Sequence, residues 1–319
     1  MAKKPTKISK TRQQTHRFLY FDLEHTGAEE DFHYIDLARR LSEMNRRLYR
    51  QGMCYHIANI SVHDSDGNAE VRFATAPNTW TTYAAWKLAF DGWKHQRAQI
   101  MKESGLTPGK WSDFKVYLNK DMVNDEDWPS LVNVENQEFA GGAWDYSNMT
   151  FTKGVTTYDD YAVGLLGAGN FSTITDETSG DDTSYDGYLG LINTFQENRR
   201  KINQPSPGDA SEQIVFGTLS SAITNDVIEE IIDEGDDAPY ALERFVCANE
   251  PATGNDAFTI RECHIASTYS PMAMVGGFPV PCGLLQVETK SSTDGNIIGI
   301  LIELVPGDYK GVHALPMGA

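Results

Sequence analysis

Residues 283–305 read GLLQVETKSSTDGNIIGILIELV. In the first half Leu285, Val287 and Thr289 alternate with Gln286, Glu288 and Lys290. A period of two sends successive side chains to opposite faces of a strand, so one face is made for burial and the other for water. Asp294-Gly295 separates this run from Asn296 to Val305, a second strand signal rich in isoleucine and leucine and closed by Pro306. Two strands at the end of the chain set the class to test elsewhere.

Working outward, Ile260 to Ser267 reads as another late strand, and Phe114 to Leu118, Trp144 to Thr152, Tyr158 to Leu166 and Ile214 to Leu219 as earlier ones. Loops rich in Gly, Asp, Ser and Thr lie between, notably Thr173 to Gly187 and Asn203 to Glu212. Helices are predicted at Tyr188 to Ile202 and at Asp226 to Glu234, the latter with a capping box (Asp226, Glu229) and a stop at Gly235. Near the start, Phe18-Leu19-Tyr20-Phe21 reads as a strand, and Met53 to Val62 and Ala69 to Thr75 as a hairpin turned by Asp66-Gly67. Between them Tyr34, Leu37, Ala38, Leu41, Met44 and Leu48 recur at helical spacing, predicting a helix from Tyr34 to Gln51. Its opposite face carries Arg39, Arg40, Arg46, Arg47 and Arg50, relieved mainly by Glu43. A further helix, Trp80 to Lys102, gathers Tyr83, Trp86, Phe90 and Trp93 on a broad packing face. Irregularly spaced strands with a few inserted helices fit a β-sandwich or jelly roll; a doubly wound sheet would need regular strand-helix alternation, absent after residue 111.

Charge divides the chain. Residues 1–17, MAKKPTKISKTRQQTHR, hold Lys3, Lys4, Lys7, Lys10, Arg12 and Arg17 and no acid. Residues 18–319 hold the other 21 of 27 Lys and Arg against all 45 Asp and Glu, a net charge of −24. So polar an arm is expected to be disordered and to seek a polyanion. It lacks the apolar stretch of about 7 to 15 residues that a signal peptide needs, and no run approaches the roughly 20 apolar residues of a membrane span, so a soluble protein with no membrane partner is expected. Cys54, Cys247, Cys263 and Cys282 show no ligand spacing and read as buried thiols.

Catalytic patterns are sparse. Asp22-Leu23-Glu24-His25-Thr26-Gly27 looks like the first motif of DEDD-type 3′ to 5′ exonucleases, in which two carboxylates on one face of a strand share metal ions. Carried over, Asp22 and Glu24 would be ligands, with Asp91, Tyr117 and Asp121 as candidates for the rest. An ordinary strand end followed by a glycine turn is the simpler reading. No nucleophile elbow, zinc-protease helix or phosphate loop is present, and no enzymatic activity is expected. Asp176, Glu177, Asp181, Asp182 and Asp186, and separately Asp233, Glu234, Asp236 and Asp237, would suit Ca²⁺, including at subunit interfaces; neither set fits an EF-hand, and solvated acidic loops are the simpler reading. No cofactor is expected.

The order of features over residues 1–100 resembles the capsid proteins of small circular single-stranded DNA (CRESS-type) viruses and their environmental relatives. The resemblance rests on the basic arm, Arg17-Phe18-Leu19-Tyr20-Phe21-Asp22-Leu23, Tyr34-Ile35-Asp36-Leu37-Ala38-Arg39, Leu48-Tyr49-Arg50-Gln51-Gly52-Met53, and Ala76-Pro77-Asn78-Thr79-Trp80 with Trp86 and Trp93. It implies a single viral jelly roll over 18–319 behind an arm at 1–17, copies of the chain closing into an icosahedral shell, and a virion protein whose arms point inward onto a single-stranded DNA genome. The strongly acidic body departs from the basic shells of circovirus-like relatives. A cellular nucleic-acid-binding β-sandwich is the remaining alternative.

Overall fold

The computed structural model describes residues 14–26, 30–105, 107, 109, 111–124, 128–133, 137–139, 141–153, 156–167, 187–200, 257–266 and 268–318. Lys3, Lys4, Lys7, Lys10, Arg12, Cys247, the expected strand at 214–219, the expected helix at 226–234 and both acidic loops lie outside them. In chain order the elements are β1 (Phe18–His25), β2 (Asp31–Asp36), α1 (Leu37–Asn45), β3 (Met53–Asp64), β4 (Ala69–Thr75), α2 (Trp80–Ser104), α3 (Asp121–Asn124), β5 (Asn148–Lys153), β6 (Thr156–Gly164), β7 (Gly187–Gly190) and α4 (Leu191–Arg200). They continue with β8 (Phe258–Ile265), β9 (Met272–Gly276), β10 (Pro279–Val280), β11 (Leu284–Ser291), β12 (Asn296–Leu304), β13 (Pro306–Gly307), β14 (Gly311–Val312) and β15 (Ala314–Pro316).

The protein is mainly β, built on two antiparallel sheets compatible with a β-sandwich. One sheet runs β1-β12-β3, with β9 and β10 along the free side of β3 and β15 also paired to β3; the other runs β2-β11-β4-β8. Between them lies one apolar core, in which Leu19, Phe21, Ile60, Val62, Ile300 and Ile302 of the first sheet meet Ile35, Val71, Phe73, Leu285 and Val287 of the second. β1 shows how alternation produces this: Leu19, Phe21, Leu23 and His25 are buried, while Phe18, Tyr20 and Glu24 are exposed.

Both Asp-Gly turns behave differently from the expected hairpin. Gly67 and Gly295 have left-handed φ values of 66° and 73°, as such turns require, yet β3 and β4 belong to different sheets, as do β11 and β12. A local turn reverses the chain without choosing the partner; here each strand finds more burial by joining the opposite sheet. Buried Asp64 stitches the two corners together, accepting from the Asp66 and Asn68 amides at 3.0 and 2.8 Å and from Asn296 Nδ2 at 3.0 Å.

The expected helix from Tyr34 is shorter. Tyr34 and Ile35 lie in β2 opposite Gln286 and Leu285, and α1 begins only after Asp36, whose carboxylate caps the Arg39 amide at 3.0 Å. At the far end Arg46 takes a left-handed φ of 52° and ends the helix, so Leu48 to Gln51 are outside it.

A second apolar cluster explains why the expected wet face of β11 is partly dry. Trp86 and Ala89 of α2, Phe114, Val116, Val163 of β6, Leu189 of β7 and Ile192 of α4 pack together with Tyr34 and Leu284. Under this layer Gln286 is 3% exposed, whereas Lys290 beyond it is open. Within the layer β5 pairs antiparallel with β6, and β6 pairs in parallel with β7. Residues 114–118 form no regular strand; Tyr117 makes a lone parallel bridge to Gly164.

Candidate nucleic-acid interface at the end of α1

Asp36 anchors the site. It is 2% exposed, and its Oδ2 accepts from Gln51 Nε2 at 3.1 Å, Trp144 Nε1 at 3.0 Å and Tyr146 Oη at 3.1 Å. Burial pushes its carboxyl above the ordinary aspartate value, and these donors with the Arg39 amide pull the other way. Gln51 extends the clamp as a surrogate peptide group: its Nε2 donates to the Val116 carbonyl at 2.9 Å and its Oε1 accepts from the Val116 amide at 2.5 Å. The start of α1 is thus tied to the segments around residues 116 and 144–146.

The described end of the arm, residues 14–17, docks at the other end of this helix. The His16 amide donates to Asn45 Oδ1 at 2.9 Å, Asn45 Nδ2 returns a bond to the His16 carbonyl at 3.0 Å, and Thr15 Oγ1 donates to the Lys310 carbonyl at 2.8 Å. Arg47 reaches the Gln14 carbonyl at 3.4 Å. Beside this junction is a cleft of about 400 Å³ whose walls include Glu43, Arg46, Arg47, Trp111, Lys115 and Trp144.

The arginines expected on one basic face divide in two. Glu43 takes both Arg39 Nε at 3.1 Å and Arg40 Nη1 at 2.8 Å; Arg40 is 2% exposed and also donates to the Trp128 carbonyl. Arg40 is therefore a packed structural cation and not part of an open polyanion surface. Arg46, Arg47 and Arg50 have no carboxylate within 4.0 Å among the described residues. Arg17 donates to the Leu304 carbonyl at 3.3 Å, where the arm joins β1.

Two lysines that the sequence reading passed over join them. Lys115 is 6% exposed, donates to the Asp145 carbonyl at 3.1 Å and lies 4.5 Å from the centre of the Trp144 ring. Burial lowers its pKa while Asp113 opposes that. Lys310 donates to the Leu48 carbonyl and lies between the Tyr49 and Tyr309 rings; burial first, then Arg50, lowers its pKa. A lysine inside the apolar run Phe114-Lys115-Val116-Tyr117-Leu118 was a legible oddity; nothing local marks Lys310 or Trp111.

The carboxylates of the exonuclease pattern do not gather. Asp22 and Glu24 lie on the outer face of β1, Asp91 is 3.7 Å from Lys94, and Tyr117 stacks on Tyr146. Among the described residues, the one group of three potential ligands within 4.8 Å of one another is Glu70, Glu262 and His264. Arg72 already supplies a cation there, paired to Glu70, Glu262 and Glu288. Cys54, Cys263 and Cys282 are buried free thiols, and no described helix is long and apolar enough to cross a membrane.

The segment Pro271 to Cys282 divides between surface and core. Met272 and Met274 of β9 are 57% and 71% exposed and Tyr269 just before them 99%, whereas Phe278, Val280 and Cys282 are in the core. Among the described residues no strand pairs with the far edge of β9. Comparison of the chain with protein-family models, with curated proteins and with solved structures yields no match.

Proposed function

We propose that this chain is a capsid protein: a jelly-roll subunit that assembles into an icosahedral shell and packages a single-stranded nucleic-acid genome, DNA by the resemblance, through its basic arm, without catalysis of its own. The observation that carries this reading is the junction of the arm with Arg46, Arg47 and Arg50 at one end of an otherwise acidic body. In a shell, such an end belongs inside and the acidic surface outside, where it repels other particles and free nucleic acid.

Strand order supports the jelly roll. Leaving aside the inserted β5 to β7 layer and the two- or three-residue strands β10, β13, β14 and β15, the first remaining strand pairs with the last (β1 with β12), the second with the next to last (β2 with β11), the third with β9 and the fourth with β8. Such an order supports a strand ribbon folded back on itself and wrapped into two sheets. Lateral assembly finds a suitable surface at the edge of β9 that no described strand pairs, with exposed Tyr269, Met272 and Met274, since exposed apolar groups on a strand edge favour association.

Energetically, an arm neutralising about six phosphates of a single strand gives a log-log salt slope of about −4. Binding that weak becomes retention when many arms share one cavity, because local concentration replaces intrinsic affinity. Electron microscopy of the purified chain across salt and pH tests the reading: closed uniform particles are expected, and persistent monomers under every condition would overturn it. Particles lacking residues 1–13 should be empty; unchanged nucleic-acid content would remove the arm from the mechanism.

A further inference from the structure

We infer that the cleft beside the end of α1 is a binding site for one nucleotide of single-stranded nucleic acid, its base stacked on Trp111 and its phosphate held by Arg46 and Arg47. This rests on the shell reading for its biological setting, and on the cleft alone for its chemistry.

A volume of about 400 Å³ lies in the range of small-ligand pockets, roughly 300–1,000 Å³. Trp111 lines this charged cleft with an indole that is 58% exposed. Every base has a π-face, so such a platform accepts bases without regard to sequence, as a packaging protein requires. Arg46 and Arg47 have no carboxylate within 4.0 Å among the described residues, so no described acid neutralises them. Glu43, the one acid of the lining, is held between Arg39 and Arg40, which removes its repulsion toward a phosphate.

The wall behind them is built. Lys115 is more than nine-tenths buried, yet it lines the cleft and donates to one protein carbonyl, although an ammonium has three donors. Trp144 is fixed by its bond to Asp36 and carries Lys115 over its ring. A site for a bare inorganic anion would have no use for Trp111; a site for an apolar ligand would not collect three cations. A nucleotide uses both features.

The test uses the full-length chain and isothermal titration with deoxyadenosine monophosphate, deoxyadenosine and inorganic phosphate as separate probes. The monophosphate is expected to bind at least about tenfold more tightly than either fragment, in line with a stacking contribution of about 1–3 kcal/mol per base. Trp111→Ala should reduce its affinity to that of inorganic phosphate, Trp111→Phe should restore most of it, and Arg46→Ala with Arg47→Ala should reduce it to that of the nucleoside. Equal affinity for phosphate and nucleotide, or Trp111→Ala without effect, overturns the proposal. Particle formation by Trp111→Ala separates the two readings: intact shells with no nucleotide binding leave the capsid standing and remove the cleft. Nucleotide binding by a chain that never assembles does the reverse.

Discussion

Two charged regions of this molecule use arginine in opposite ways. On the outer side of the β2-β11-β4-β8 sheet, Arg72 sits among Glu30, Glu70, Glu262 and Glu288, with Lys290 bridging to Glu30 at 3.0 Å. At the end of α1, Arg46, Arg47 and Arg50 face no carboxylate within 4.0 Å among the described residues, and Gln14 and His16 dock beside them. The first region commits its cation to holding a sheet face together; the second pairs its cations with no described carboxylate. Counting charged residues does not separate these uses, because what matters is whether a counter-charge is within reach.

The largest expected effect breaks the frame on which the cationic region stands. Asp36→Ala removes the cap of α1 and the acceptor of buried Gln51 and of half-buried Trp144 and Tyr146; a loss of about 3–5 kcal/mol is expected in denaturant unfolding. Asp36→Asn sharpens this through pH. The folded carboxyl is raised above its ordinary 3.8, so its contribution is most favourable below that value and is lost as pH rises through the folded value. The unfolding free energy of the native chain, relative to the non-titrating Asn variant, should therefore fall between acidic and neutral pH.

Next comes charge reversal at the free arginines. Arg46→Glu with Arg47→Glu should weaken binding to a single-stranded oligonucleotide by more than about tenfold and make its salt slope shallower by about 0.7, the share of the one phosphate they hold, while leaving thermal stability nearly unchanged. Arg40→Gln should give the inverse, a stability loss with unaltered salt slope, because Arg40 is committed to Glu43 and the Trp128 carbonyl. Identical behaviour of the two variants would erase the distinction between used and available cations.

On the acidic side the effects are smaller. Arg72→Ala should cost on the order of 1 kcal/mol at neutral pH, the scale of a partly exposed charge network. The loss should shrink on acidification, because Glu288, already raised by burial, then protonates more readily without Arg72 beside it. Smallest of all, Glu30→Gln on the exposed rim should leave the melting temperature unchanged at moderate salt, since exposed pairs are screened.

Much of the fold was legible where local geometry dominates. Ala69–Thr75 has the bounds that alternation predicts, and β3, β8, β11, β12 and α2 differ from expectation only near their ends. The failures share a cause. Tyr34 and Ile35 fit a helical spacing, but pairing with Gln286 and Leu285 outweighs it; Phe114 to Leu118 is apolar and extended, but its backbone bonds go to Gln51, Ser147 and the β6 region. Of the site, Arg46, Arg47 and Arg50 were visible as charge. Arg40 was misread because its burial depends on Trp128, 88 residues away, and Lys115, Trp111 and Lys310 acquire meaning only when three distant segments converge.

The sequence by itself determined the segregation of charge between arm and body, the alternation that makes strands, and the left-handed turns at Gly67 and Gly295, since each follows from composition or from backbone geometry over a few residues. Only the tertiary structure decided that those turns carry the chain from one sheet to the other, which face of β11 is dry, and which arginines remain available. Strand pairing, burial and ion pairing are settled between residues far apart in the chain, where a local pattern has no term.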